Sequence, residues 1–139
     1  ILRETLWNSK ALSSDVTAAL NPVFKSVHDV ENVARLSYGL AFAKYTGSRG
    51  KVSANDADAE FIQEIRQIFD KNEIKYQSGG FGKVDEGGGG TVAKFLAYYG
   101  IRTIDAGPAL LSMHSLFEIS SKADLYETYR AYKVHLFIH

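Results

Sequence analysis

The segment from about Asp56 to Asp70 constrains the fold most, because Phe61, Ile65, Ile68 and Phe69 recur on one face at helical spacing. A helix with one apolar stripe must bury it against a second layer of structure. Asn55 is the expected N-cap, and acidic residues crowd the first turn, where the helix dipole favours them. After a polar break at Asp70-Lys71-Asn72-Glu73, the run Ile74 to Gln77 reads as a strand. Helix followed by strand is the αβ half of a wound sheet.

The remaining punctuation extends that pattern. Leu12 to Thr17 suits a strand ending near Asp15, and Gly39 to Thr46 suits another, closed by the turn signal Gly47-Ser48-Arg49-Gly50. A second helix follows Thr91 through Val92, Phe95, Leu96 and Tyr99, and Gly100 stops it. Ile101 to Ala106 is a further strand, ended by Gly107-Pro108. The last helix starts near Ser121, where Ser121 and Asp124 have capping-box spacing, and runs through Leu125, Tyr129, Tyr132 and Leu136. The order β, β, α, β, α, β, α gives an α/β fold class, with no internal repeat.

With 139 residues, 45% of them hydrophobic, the chain is expected to form one domain over residues 1–139. Sixteen basic and 16 acidic residues balance, without runs of either sign, which argues against nucleic acid and membrane surfaces as partners. No apolar stretch approaches the roughly 20 residues that span a bilayer, and the first residues do not resemble a signal peptide. A soluble, cytoplasmic protein is the expectation. The chain has no cysteine, so any metal must be held by His, Asp or Glu. Ile1 stands where a start methionine would, which leads us to expect a piece of a longer polypeptide.

Four features offer chemistry, each with a plainer alternative. Asp15, in Ser13-Ser14-Asp15-Val16-Thr17, sits at a predicted strand end, where open α/β sheets place their ligands; it is a metal-ligand candidate or a loop cap. His114 follows a strand among small polar residues, as a zinc ligand or as a surface residue. The tetraglycine Gly87 to Gly90 precedes a helix start, where bare backbone N–H groups favour an anion; the alternative is a flexible packing loop. It matches neither the phosphate loop nor the dinucleotide fingerprint, which disfavours nucleotides. Tyr126, Tyr129, Tyr132 and Phe137 form an aromatic stripe read as core, or as a subunit contact if exposed. His28, His135 and His139 have no assignable partner and read as solvated or structural.

Three segments resemble a known family: Ser13 to Pro22, Lys83-Val84-Asp85-Glu86-Gly87-Gly88-Gly89-Gly90-Thr91, and Gly100 to Asp105 running on to Leu111-Ser112-Met113-His114-Ser115. Together they are similar to the C-terminal part of the catalytic domain in the aspartyl aminopeptidase and vacuolar aminopeptidase I family of two-zinc peptidases. The resemblance implies the C-terminal part of a three-layer α/β/α zinc-peptidase sheet, a peptide substrate and a homo-oligomeric parent. In that family an early His, a bridging Asp, a Glu beside the catalytic Glu, a later Asp and a final His bind two metals. Asp15 matches the later Asp and His114 the final His; the other groups should precede Ile1. The resemblance further implies that Lys44, on its strand, approaches the active site, and that Gly88, Gly89 and Gly90 line the substrate channel.

Two departures temper the likeness. The family has His-Pro-Asn where this chain has Asn21-Pro22-Val23, which removes the basis for expecting preference for an acidic N-terminal residue. No catalytic residue is matched here, so the chain alone is expected to be inactive and to retain zinc weakly or not at all. The competing reading is a non-catalytic α/β module that binds an anionic ligand at the glycine loop or mediates assembly.

Overall fold

The apolar stripe of the first long helix builds the core. In the computed structural model, which describes every residue except 49–51, 81, 84 and 139, that helix is α2 (Ala59–Lys71). Phe61, Ile65 and Phe69 are buried on it, with Ile68 partly so. They pack on Leu40 and Phe42 of β3 (Leu40–Ala43) and on Ile104 and Ala106 of β7 (Arg102–Gly107). The N-cap is Asp58, whose side chain accepts from the Phe61 N–H at 2.8 Å; it is not the expected Asn55. Asn55 and Asp56 instead end β5 (Val52–Asp56), which pairs antiparallel with β4 (Tyr45–Ser48). The hairpin claims those residues before the helix begins.

Four strands form the main sheet in the order β1-β7-β3-β6, with β1 Lys10–Ser13 and β6 Tyr76–Ser78 at its edges. β1 runs parallel to β7, β7 antiparallel to β3, and β3 parallel to β6. The strand expected over Ile74 to Gln77 is therefore displaced toward Ser78. A smaller sheet joins β2 (Thr17–Ala18), β8 (Ala109–Leu111) and β9 (Ile119–Ser120), with β2 parallel to β8. Helix α1 (Leu2–Trp7) precedes β1, and α3 (Ala93–Tyr98) precedes β7.

The expected strand Leu12 to Thr17 is thus two strands. The break is local: the Asp15 N–H bonds back to the Ser13 carbonyl at 2.9 Å, a tight turn between β1 and β2. Gly107 makes room for it, since a Cβ there would lie 2.0 Å from the Asp15 carbonyl oxygen. The strand expected over Gly39 to Thr46 is likewise interrupted, at Lys44, where the chain leaves the sheet for the β4–β5 hairpin. Gly47 and Ser48, expected in a turn, belong to β4; Arg49 and Gly50 lie outside the described residues.

The last helix, α4 (Lys122–Ile138), packs against α2, β3 and β7. The spacing of Ser121 and Asp124 suggested a capping box, but the Asp124 carboxylate serves another element. It is fully buried and accepts from the Ser37 and Gly39 N–H groups, each at 2.7 Å. A charged acceptor on two buried backbone donors fixes the entry to β3 more firmly than a neutral one would. The core reading of the aromatic stripe fails for three residues: Tyr126, Tyr129 and Phe137 are exposed, at 61%, 58% and 81%. Only Tyr132 turns inward, its hydroxyl donating to the Ala106 carbonyl.

Helices α2 and α4 cover one face of the main sheet. Side chains alternate along a strand, so Thr103 and Asp105 of β7 face away from them, toward α3, which packs on β5 and β7. A second apolar cluster of Ala19, Ala34, Ala41 and Ala109 joins the small sheet to β3 on that same far side. The sheet is therefore layered on both faces.

Candidate metal and substrate site

Asp15 lies in the turn between β1 and β2, at the carboxyl end of β1. Its Oδ1 accepts from the Val16 N–H at 2.8 Å, the bond of a loop cap, and the side chain keeps some exposure. His114 is in the loop between β8 and β9. It holds a left-handed backbone, φ 68°, rare for a residue with a Cβ. Its N–H donates to Glu118 Oε1 at 2.6 Å, and Ser115 braces the same loop through Phe117. The imidazole is exposed. The β2–β8 ladder connects the strand after Asp15 to the strand before His114.

Asp15 and His114 are chemically suited to zinc, but they are two donors and a zinc site normally uses three or four. Among the described residues no three His, Asp or Glu side chains are grouped so as to hold a metal ion. Among the described residues the donor set is therefore incomplete.

Lys44 is at the bend between β3 and β4 rather than on a strand. Its Nζ pairs with the Asp56 carboxylate, and both side chains are half exposed. The glycine tract meets β4, the strand that follows this bend: the Gly47 N–H donates to the Gly89 carbonyl at 3.0 Å. Gly88 takes φ 106°, and Gly89 has open space where a side chain would be. Helix α3 has only six residues, and no side chain caps its start at Val92. Val84, within the resembling segment, and His139 lie outside the described residues. His28 is buried, and its Nε2 accepts from the Asn21 N–H at 3.3 Å; burial lowers its pKa.

The residue that sequence reasoning passed over is Asp105. It is 3% exposed in the middle of β7, and its Oδ2 accepts from the Thr91 hydroxyl at 2.7 Å. Burial raises its pKa; the Ser13 and Thr91 hydroxyls oppose the rise, the Asp15 charge adds to it, and Thr46 opposes it last. Ser13 and Thr46 face the carboxylate without reaching bonding geometry to Oδ1, which, like Thr46 Oγ1, is buried without a partner. The available signal was a lone carboxylate in an otherwise apolar strand, Ile104-Asp105-Ala106.

Residues 1–136 match the family model described as aminopeptidase I zinc metalloprotease (M18). A probable M18 family aminopeptidase 1 of Borrelia garinii subsp. bavariensis is 61% identical over 132 residues, covering 95% of this chain and 29% of the relative. The crystal structure of an M18 aminopeptidase from Thermotoga maritima superposes with a TM-score of 0.91 at 56% identity, covering 96% of this chain and 30% of that one. The S. cerevisiae mApe1 dodecamer shares the fold at TM-score 0.74 and 23% identity, over 100% of this chain and 29% of that chain. The chain thus spans about 30% of the length of these relatives.

Proposed function

The chain belongs to the M18 aminopeptidase I zinc metalloprotease family, and from that premise we propose that residues 1–139 are the C-terminal portion of a metallo-aminopeptidase catalytic domain. The complete protein releases N-terminal residues from peptides. The observation that carries this reading is the family match over residues 1–136, joined to 61% identity with an M18 relative.

Asp15 and His114 are this chain's contributions to two zinc ions, the remaining ligands and the general base coming from outside residues 1–139. The left-handed backbone at His114 supports a functional role, because such strain persists where the surroundings enforce it. Bound zinc would supply an acidified water as nucleophile. From these residues alone no catalytic step follows, so the isolated chain is inactive. Lys44 and Gly88 to Gly90 border the substrate path; the Gly47–Gly89 bond that joins their two segments supports this grouping. The complete protein is a homo-oligomer, a reading supported by the dodecameric mApe1.

Peptide hydrolysis and metal analysis of the complete protein, beside residues 1–139 alone, test this reading. We expect activity and about two zinc ions per complete chain, as in two-metal hydrolytic sites, and neither in the isolated piece. Asp15→Ala and His114→Ala should each lower kcat/KM by about a hundredfold or more, equivalent to about 3 kcal/mol, with loss of zinc. A complete protein that binds no zinc and cleaves no peptide would leave the non-catalytic module in its place.

A further inference from the structure

The three segments that border the proposed site converge on one side chain. Ser13, Asp105 and Ala43 are paired across β1, β7 and β3, so they form one row on the same face of the sheet. Asp15 follows Ser13 by two residues, and Lys44 follows Ala43 directly. From that row Asp105 Oδ2 holds the Thr91 hydroxyl at 2.7 Å, and Thr91 directly follows the tetraglycine. Thr91 and Asp105 are both buried, 7% and 3% exposed.

We propose that Asp105 is a positioning residue, which through Thr91 fixes the glycine tract against the segments carrying Asp15 and Lys44. This rests on the aminopeptidase reading above.

The physical need for such a tether lies in the glycines. Four in succession lose more backbone freedom on ordering than any other tetrapeptide. The Gly87 N–H bonds back to the Lys83 carbonyl at 2.9 Å, and the Gly89 carbonyl accepts from the Gly47 N–H. The C-terminal end is pinned at Thr91, by a buried bond to a carboxylate, stronger than a neutral one. Without the Thr91 hydroxyl the tract loses its side-chain tie to β7 and keeps the backbone bond to Gly47 of β4, so it can sample other arrangements before substrate arrives. Substrate then has to order it, which weakens binding and leaves the chemical step intact.

The test uses the complete protein and a pair of variants close in volume. Thr91→Val removes the hydroxyl, and Thr91→Ser restores it. For Thr91→Val we expect peptide KM to rise about tenfold with kcat within about twofold, the pattern of lost binding rather than lost chemistry. Zinc content should be unchanged, and amide hydrogen exchange across Gly87 to Gly90 should accelerate. Thr91→Ser should return KM and exchange to the starting values.

Unchanged KM and unchanged exchange in Thr91→Val overturn the proposal. So does a fall in kcat and melting temperature at constant KM, which marks a structural role only. If the unsubstituted protein cleaves no peptide, the aminopeptidase reading has failed. The exchange measurement then decides the tether by itself: acceleration in Thr91→Val, reversed in Thr91→Ser, upholds it, and equal exchange refutes it.

Discussion

Helices α2 and α4 both carry stripes of large apolar or aromatic residues and both pack on the same face of the sheet, yet they use those stripes in opposite ways. On α2 the large residues Phe61, Ile65 and Phe69 point inward. On α4 the fully buried residues are small or polar, Asp124, Thr128 and Ala131, with Tyr132 and Val134 only partly buried against the core, while Leu125, Tyr126 and Tyr129 are exposed. Small residues let α4 approach β3 and β7 closely, and its buried carboxylate satisfies backbone donors at the start of β3. An apolar stripe therefore identifies a helix without deciding which side faces the core.

The comparison can be broken most directly by truncating one ring from each stripe. Phe69→Ala should cost about 4 kcal/mol in urea unfolding, through lost burial and the cavity left behind. Tyr129→Ala should stay within about 0.5 kcal/mol, as surface changes usually do. Equal losses would mean that α4's outer face is covered in solution.

The inward face of α4 is tested next. Asp124→Ala leaves the Ser37 and Gly39 N–H groups without their acceptor, and should cost about 3 kcal/mol on the scale of hydrogen bonds to charged groups. Asp124→Asn keeps only part of that bonding and should fall between the two. If Asp124→Ala is neutral, α4 is held by its other contacts, Tyr132 and Val134 against the core and Glu127 and Arg130 on the backbone of Lys75, Glu73 and Asn72.

A smaller effect sharpens the account of α2. Asp58→Ala removes the observed N-cap and should destabilise by about 1 kcal/mol in urea unfolding. If Asp58→Ala brings no loss, Asp58 is not the cap.

Outside both helices, His28 gives the smallest change, read as pH dependence. Burial lowers its folded pKa below the ordinary 6.5, so the native state binds fewer protons than the unfolded chain on acidification. Its contribution to stability is complete above about 6.5 and declines as pH falls from there toward the folded value. Lys25, Asp29 and Lys83 share its hollow and contribute their own charge. His28→Gln, which keeps an acceptor for the Asn21 N–H, should flatten that part of a melting-temperature profile. An unchanged slope would assign the pH dependence elsewhere.

By itself the sequence determined the α/β alternation, the core stripe of α2, the helix ending at Gly100 and the strand leading to Gly107, because periodicity and glycine or proline punctuation are local properties. It also marked Asp15, His114 and the glycine tract as chemically unusual, and carried the family likeness. Tertiary structure decided the rest. Whether Leu12 to Thr17 is one strand or two depends on Gly107, far along the chain, admitting the Asp15 carbonyl. Whether Asp124 caps its own helix or a distant turn depends on where β3 begins. Asp105 gained its place beside Thr91 and Ser13 only when three strands came into register. Such contacts join residues far apart in sequence, and no local pattern encodes which partner will meet a buried polar group.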